Sequence, residues 1–208
     1  VAGAGTMGSG IALAAAQYDY IVTLFDTNES VVHNAQKSIL KNLDALIEKN
    51  KITPEQQSAI ISNLTFTTNI ANCTADLVIE AIIEKEEAKI NLFTQLATIN
   101  NSNCIFASNT SSLSITALQQ KIPDPERVAG MHFFNPAQIM KLVEVVKGEL
   151  TADVVVQQLA DVCKKLSKVP VLCIDAPGFI VNRVARHYYL EAMKLVENNI
   201  AGIESIDA

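Results

Sequence analysis

VAGAGTMGSG, residues 1–10, sets Gly3, Gly5 and Gly8 in the pattern G-x-G-x-x-G. Alone, that pattern is common. Its physical use needs a strand before it and a helix after it. The first glycine then makes a tight turn, the second lets a phosphate approach the backbone, and the third lets helix and strand pack closely. The helix N-terminus adds unpaired N–H groups and the positive end of the helix dipole. Both neighbours are present here. Val1 and Ala2 read as the end of a strand, and the apolar run from Thr6 to about Gln17 reads as a helix. YIVTLFD, residues 20–26, follows as a strand rich in β-branched and aromatic residues. It ends on Asp26, 21 positions after Gly5, where a carboxylate can accept hydrogen bonds from an adenosine ribose. The whole unit predicts a dinucleotide site built from Gly3, Ala4, Gly5, Thr6, Met7 and Gly8, with Asp26 as the ribose partner. Asp26 would repel a 2′-phosphate, and Thr27 and Asn28 offer no cation to receive one. The expected cofactor is therefore NAD rather than NADP.

Strand and helix patterns continue to alternate along the chain. Val32, Ala35, Ile39, Leu43 and Leu46 recur at spacings of three and four, which predicts a helix over about 29–50. Pro54 opens a shorter helix. Strands are expected at 64–68, 76–82, 104–109, 127–133, 141–148 and 169–175, with helices at about 86–96 and 152–166. Repeated alternation of this kind predicts an α/β fold, a Rossmann-type doubly wound and mostly parallel sheet with helices on both faces. The link between the strands at 127–133 and 141–148 is too short for a parallel crossover, so that pair is expected to be antiparallel.

DAPGF, residues 175–179, is the one clear break in the pattern. It divides a Rossmann-like unit, 1–176, from the start of an all-α second unit, 177–208. The second unit opens with a long helix to about Asn199, whose apolar residues Ile180, Val184, Tyr188, Met193 and Leu195 need something to pack against. The second domain is thus expected to be cut short at 208, and a few residues are expected ahead of Val1.

Of the 208 residues 49% are hydrophobic, enough for a sizeable core, and 22 acids against 16 bases give a net charge of −6. No general attraction to nucleic acid or membrane follows from that balance. No apolar run approaches the roughly 20 residues of a membrane span. The four cysteines, at 73, 104, 163 and 173, form no C-x-x-C pair and match no metal template, so free buried thiols in a reducing compartment are expected, with no metal site. The expected location is the cytoplasm. A mitochondrial matrix address is the alternative, since a targeting segment would precede Val1.

Chemistry concentrates in GMHFFNPAQIMKLVEVVKG, residues 130–148. His132 and Glu144 lie six residues either side of Gln138. In a hairpin centred there they stand directly opposite, with Cβ atoms about 4.5–5.5 Å apart. The carboxylate can then hold one imidazole nitrogen and leave the other as a base. The competing reading makes His132 a packed core residue and Glu144 a charge on a sheet edge. Against it, Glu144 sits in an otherwise apolar run and needs a partner if buried. SNTSS, residues 108–112, follows another strand with five hydrogen-bonding side chains. One of them is expected to cap a helix starting near Ser114, and Ser111 to orient a substrate or a nicotinamide.

GAGTMG at 3–8, FASNTSSLSI at 106–115, HFFNP at 132–136, KLVEVV at 141–146 and DAPGFIVNR at 175–183 together resemble the L-3-hydroxyacyl-CoA dehydrogenase family, including its bacterial 3-hydroxybutyryl-CoA members. The likeness spans essentially the whole chain. It implies interconversion of a (3S)-3-hydroxyacyl-CoA and a 3-oxoacyl-CoA with NAD. By resemblance, His132 is the base, Glu144 orients it, and Ser111 and Asn182 hold substrate oxygens. Glu84, Lys89 and Asn135 contact the cofactor, with Ser111 shared between cofactor and substrate. A gapless count from Asp26 carries the family's CoA contacts to Asn42 and Lys49, and Asn42 departs from the hydroxyl residue expected there. A homodimer through the second domain is also implied. Two rivals share the fold: a dehydrogenase of small hydroxy acids without CoA, and a crystallin-like dinucleotide binder without activity.

Overall fold

The computed structural model describes residues 1–207. Ala208, the last residue of the 177–208 unit expected from sequence, lies outside them. The chain opens at residues 1–3 and enters α1, Thr6–Ala16, whose Gly8, Ile11, Ala12 and Ala15 are all buried. Next come β1 (Val22–Phe25), α2 (Glu29–Glu48), α3 (Pro54–Ser62) and β2 (Leu64–Thr67). On the amphipathic α2, Val32, Ala35, Ile39 and Leu43 face the core, as their spacing predicts. α3 starts in a capping box between Thr53 and Gln56.

The second half runs β3 (Leu77–Glu80), α4 (Glu86–Ile99), β4 (Ile105–Ser108), α5 (Ile115–Gln119), β5 (Val128–Phe133), β6 (Leu142–Lys147), α6 (Asp153–Lys165) and β7 (Val169–Ile174). α7, Val181–Glu197, and the short α8, Ile203–Ile206, complete it. Strands β3 to β7 form one sheet in sequence order, and β1 pairs with β2. Ala2 joins the two pieces, bridging in parallel to Phe25 of β1 and to Glu80 of β3. The chain winds outward from Ala2 through β1 to β2, then crosses to β3 on the other side. Ligands of open α/β sheets bind at such a switch point, beyond the carboxyl ends of the strands.

All pairings are parallel except β5–β6, which is antiparallel as its short link requires. In that pair His132 stands opposite Glu144. The turn between the two strands is pinned from below by Lys168, whose buried Nζ donates to the carbonyls of Ala137 (2.6 Å) and Met140 (2.8 Å). Burial pushes the Lys168 ammonium below its ordinary pKa.

Two expectations need correction. The helix after the serine-rich loop is capped by Ser114 itself, which accepts from Ala117 N–H, and not by a residue of 108–112. Those residues instead turn toward acids on β3 and the loop behind it. The strand expected over 20–26 is shorter, because Tyr20 and Ile21 lack the ladder partners that Leu64–Thr67 supply to Val22–Phe25. The four cysteines are free, and burial pushes the thiols of Cys104 and Cys173 up to about 11 and that of Cys163 up to about 12. Thiols held this far above neutrality are poor nucleophiles.

Candidate active site

Each glycine of the opening turn has a distinct steric reason. Gly3 has φ +102°, and a Cβ there would lie 2.5 Å from the Ala81 carbonyl oxygen, so β3 packs directly against the turn. At Gly8 a Cβ would lie 1.7 Å from the Gly3 carbonyl oxygen, which is the close helix–strand contact. At Gly5 a Cβ would meet nothing within 4 Å, because that side faces open space. Gly5 is also the N-cap of α1, with no capping side chain and no acid in the first turn. The first N–H groups of the helix are therefore left for an anion. Gly3, Gly5, Asp26 and Thr27 line one wall of a cleft of about 670 Å³, and Ala81, Ile82 and Ile83 line the other. One oxygen of Asp26 accepts from Ala4 N–H (2.9 Å) and the other from Asn28 N–H (3.0 Å). These bonds aim the carboxylate, and its remaining lone pairs stay free for ribose hydroxyls. Cradle, open helix end and aimed acid fit NAD.

The second centre lies two strands away. His132 Nδ1 is 2.8 Å from Glu144 Oε2, and both residues are buried. A carboxylate only accepts, so Nδ1 carries the proton and Nε2 is left with its lone pair. Nε2 has no hydrogen-bond partner and, among the described residues, is not one of the fully sealed unpartnered polar atoms. The imidazole is flanked by Phe134, with ring centroids 4.6 Å apart, and by Phe179 at 5.8 Å. Those rings restrict it to one orientation. Glu144 Oε1 accepts from the N–H groups of Ile180 and Val181, each at 2.9 Å. One carboxylate thus holds both the imidazole and the first turn of α7.

That first turn carries Asn182, whose Nδ2 donates to the Ser111 carbonyl at 3.3 Å. Ser111 belongs to the exposed loop after β4, and the loop is tied on its other side to Glu84. Glu84 Oε1 accepts from the N–H groups of Ser111 (3.0 Å) and Ser112 (3.2 Å) and from the hydroxyls of Thr110 and Ser112. Burial alone would push the Glu84 carboxyl up. The Thr110 hydrogen bond, the Lys89 charge and the Ser111 N–H outweigh it and hold the group below its ordinary pKa. Asn109 Oδ1 accepts from Phe133 N–H at 2.8 Å, so the loop also registers against the histidine strand.

His132, Glu144, Ser111 and Asn182 are thus brought into one bonded neighbourhood. Lys89 is placed otherwise than a cofactor contact would suggest. Its ammonium is sealed, 1% exposed, between Glu80 (2.6 Å) and Glu84 (3.1 Å), and it does not line the cleft at the glycine turn. Asn135 is exposed on the turn after β5, without a hydrogen bond to another residue of the site. Asn42 and Lys49 lie on the outer surface of α2 and at its end, apart from both centres. Among the described residues no group of three or more His, Cys, Asp and Glu could hold a metal ion, and no helix is long and apolar enough to cross a membrane.

Sequence reading missed Glu80, Ser108 and Asp175. Glu80 is 0% exposed at the end of β3, where Ser108 Oγ donates to it at 2.6 Å. Its signal was available: an acid in the apolar run LVIEAII needs a partner by the reasoning applied to Glu144. Asp175 accepts from Ser114 Oγ and Thr116 N–H and so ties the 175–179 linker to α5. That contact spans about 60 residues and leaves no local mark.

Asp26 carries a direct test of cofactor choice. On the expectation that Asp26 meets the ribose, Asp26→Ser removes a charge that would repel a 2′-phosphate and a two-pronged acceptor for ribose hydroxyls. Steady-state kinetics should show KM for NADH rising at least tenfold while the preference for NADH over NADPH narrows. An unchanged preference would remove Asp26 from the ribose site.

Known proteins resemble the chain along its whole length. Residues 1–176 match the family model described as "3-hydroxyacyl-CoA dehydrogenase, NAD binding domain", and residues 178–208 match "3-hydroxyacyl-CoA dehydrogenase, C-terminal domain". The chain is 47% identical over its whole length to a 3-hydroxyadipyl-CoA dehydrogenase of Escherichia coli, covering 44% of that protein. It is 41% identical to the mitochondrial hydroxyacyl-coenzyme A dehydrogenase of Rattus norvegicus, covering 68% of it. A solved (S)-3-hydroxybutyryl-CoA dehydrogenase from Ralstonia eutropha superposes with a TM-score of 0.95 at 35% identity, over 98% of this chain and 72% of that one. The chain thus spans less than half of the first relative and about two thirds of the others. With residues 1–176 matching the NAD-binding domain and residues 178–208 the C-terminal domain, the chain belongs to the 3-hydroxyacyl-CoA dehydrogenase family.

Proposed function

We propose that the protein interconverts a (3S)-3-hydroxyacyl-CoA and the corresponding 3-oxoacyl-CoA, with His132 as the base and acid. The carrying observation is the buried His132–Glu144 pair, whose carboxylate also anchors the α7 turn that carries Asn182 to Ser111. NAD, held by the Gly3–Gly8 turn and Asp26, supplies the hydride acceptor or donor when bound. In oxidation His132 Nε2 takes the 3-hydroxyl proton, and in reduction it returns the proton to the carbonyl oxygen. Glu144 keeps the proton on Nδ1 and stabilises the imidazolium that forms. Ser111 and Asn182 hydrogen-bond the substrate oxygens. Glu84 and Asn135 take the cofactor from the nicotinamide side, and Lys89 serves it through Glu84.

Asn42 and Lys49 on α2 are the positions that would meet CoA. Residues 1–176 act as the NAD-binding unit and 177–208 as the start of a helical unit that completes the substrate wall. Homodimerisation through that unit is supported by the apolar side chains that α7 leaves exposed, among them Val184 (66%), Tyr188 (75%) and Met193 (65%).

The test is NADH oxidation by the full-length protein with acetoacetyl-CoA and with free acetoacetate. Turnover of the thioester and not of the free acid is expected. Turnover of the free acid alone would replace this reading with a dehydrogenase of small hydroxy acids, and NADH binding without turnover of either would make the protein a binder.

A further inference from the structure

The proposed reaction gives no role to Glu80, fully buried at the carboxyl end of β3. An isolated carboxylate in that position would cost several kcal/mol in desolvation. It is instead bonded on every side. Oε1 accepts from Lys89 Nζ at 2.6 Å and from Ile82 N–H at 2.7 Å, and Oε2 accepts from Ser108 Oγ at 2.6 Å. Both arms lead to one loop. Along the first, Lys89 pairs with Glu84 Oε2 at 3.1 Å, and Glu84 Oε1 gathers the N–H groups of Ser111 and Ser112. Along the second, Ser108 Oγ accepts from Thr110 N–H at 3.2 Å. The Glu80 carbonyl also accepts from Asn109 N–H at 2.8 Å.

We propose that Glu80 is a positioning residue that sets the geometry of the Ser111 loop through Lys89–Glu84 on one side and Ser108 on the other. For its catalytic consequence this rests on the substrate role of Ser111 given above. The physical case is the sealing of the cluster. Within the loop Ser111 and Ser112 are exposed, so burial does not fix these two residues. Their backbone N–H groups are bonded instead to Glu84. Glu84, 37% exposed, is in turn fixed by an ammonium that is 1% exposed and cannot turn away, because Glu80 holds its other side. A loop placed by charged groups locked in the core keeps its geometry where an exposed ion pair would be screened and mobile.

Two measurements test this. The first is amide hydrogen exchange in the full-length protein, which needs no turnover. Glu80→Gln should raise exchange at Thr110–Ser112 at least tenfold while the amides of β1 and β2 keep their protection. The second is a double-mutant cycle on kcat. Glu80→Gln should lower kcat about tenfold, and should add little once Ser111→Ala is present. Should Glu80→Gln fold poorly, the variant Glu80→Gln with Lys89→Met removes both charges together and restores the fold, because no unpaired charge remains buried. In that variant the loop should stay unprotected and kcat low although the melting temperature recovers. Unchanged protection at 110–112 overturns the proposal. So do kcat costs of Glu80→Gln and Ser111→Ala that simply multiply. If protection is lost as expected but the wild-type protein turns over no 3-oxoacyl-CoA, the positioning stands and only the reaction assigned to the site falls.

Discussion

His132→Gln is expected to lower turnover of acetoacetyl-CoA by about 10²–10⁴-fold, the usual contribution of a positioned base. Glutamine is close to histidine in reach and can donate to Glu144 as Nδ1–H does, so the buried carboxylate keeps a partner and the hairpin its register. What it lacks is a nitrogen able to take the hydroxyl proton. The glycine turn and Asp26, the cofactor contacts expected from sequence, lie two strands away, and His132 does not line their cleft. NADH affinity, read by the fluorescence of the bound cofactor, should therefore stay within about twofold. A variant that loses turnover and NADH binding together has a damaged fold, and one that keeps near-normal turnover shows that another group moves the proton.

Glu144→Gln is expected to reduce turnover by about 10–100-fold, the equivalent of one charge-assisted hydrogen bond worth about 1.5–3 kcal/mol. The carboxylate accepts from His132 on one oxygen and from Ile180 and Val181 on the other. An amide has a single accepting oxygen. If that oxygen keeps the helix, its NH₂ faces the Nδ1–H of His132 and forces the wrong tautomer. If it keeps the imidazole, the first turn of α7 loses its anchor. The melting temperature should fall in either case. Activity separates the two uses of the carboxylate: in a His132→Gln background, losing Glu144 should cost little further turnover, since its catalytic effect passes through the histidine. An equal loss in both backgrounds would leave Glu144 a structural anchor only.

These two residues show where sequence reading succeeds. The hairpin is short enough that its centre can be counted, antiparallel pairing follows from the length of the link, and opposite residues then share a face. His132 and Glu144 could be paired for that reason, and they face each other in the ladder. The glycine turn was equally readable, because steric demands on Gly3 and Gly8 act between neighbours in sequence or adjacent strands. The second oxygen of Glu144 was not readable. Its donors lie 36 and 37 residues away, and backbone N–H groups carry no signature of residue type. The burial of Lys89 was unreadable for a similar reason. In EKEEAK it resembles an ordinary charge on the first turn of a helix, and only the packing of α4 on β3 turns it inward to Glu80.

By itself the sequence determined the local, periodic and steric features of this protein. These are the order of strands and helices, the dinucleotide turn and its acid, the antiparallel pair and the facing of His132 and Glu144. Each depends on short-range spacing, on the 21 positions from Gly5 to Asp26, or on a link of known length. The tertiary structure alone decided which charges are sealed and what they hold. It set Ala2 between β1 and β3, spread Glu144 between the imidazole and α7, and locked Lys89 between Glu80 and Glu84. A polar group's role depends on what remains to solvate it once water is gone, and only the packed chain removes the water.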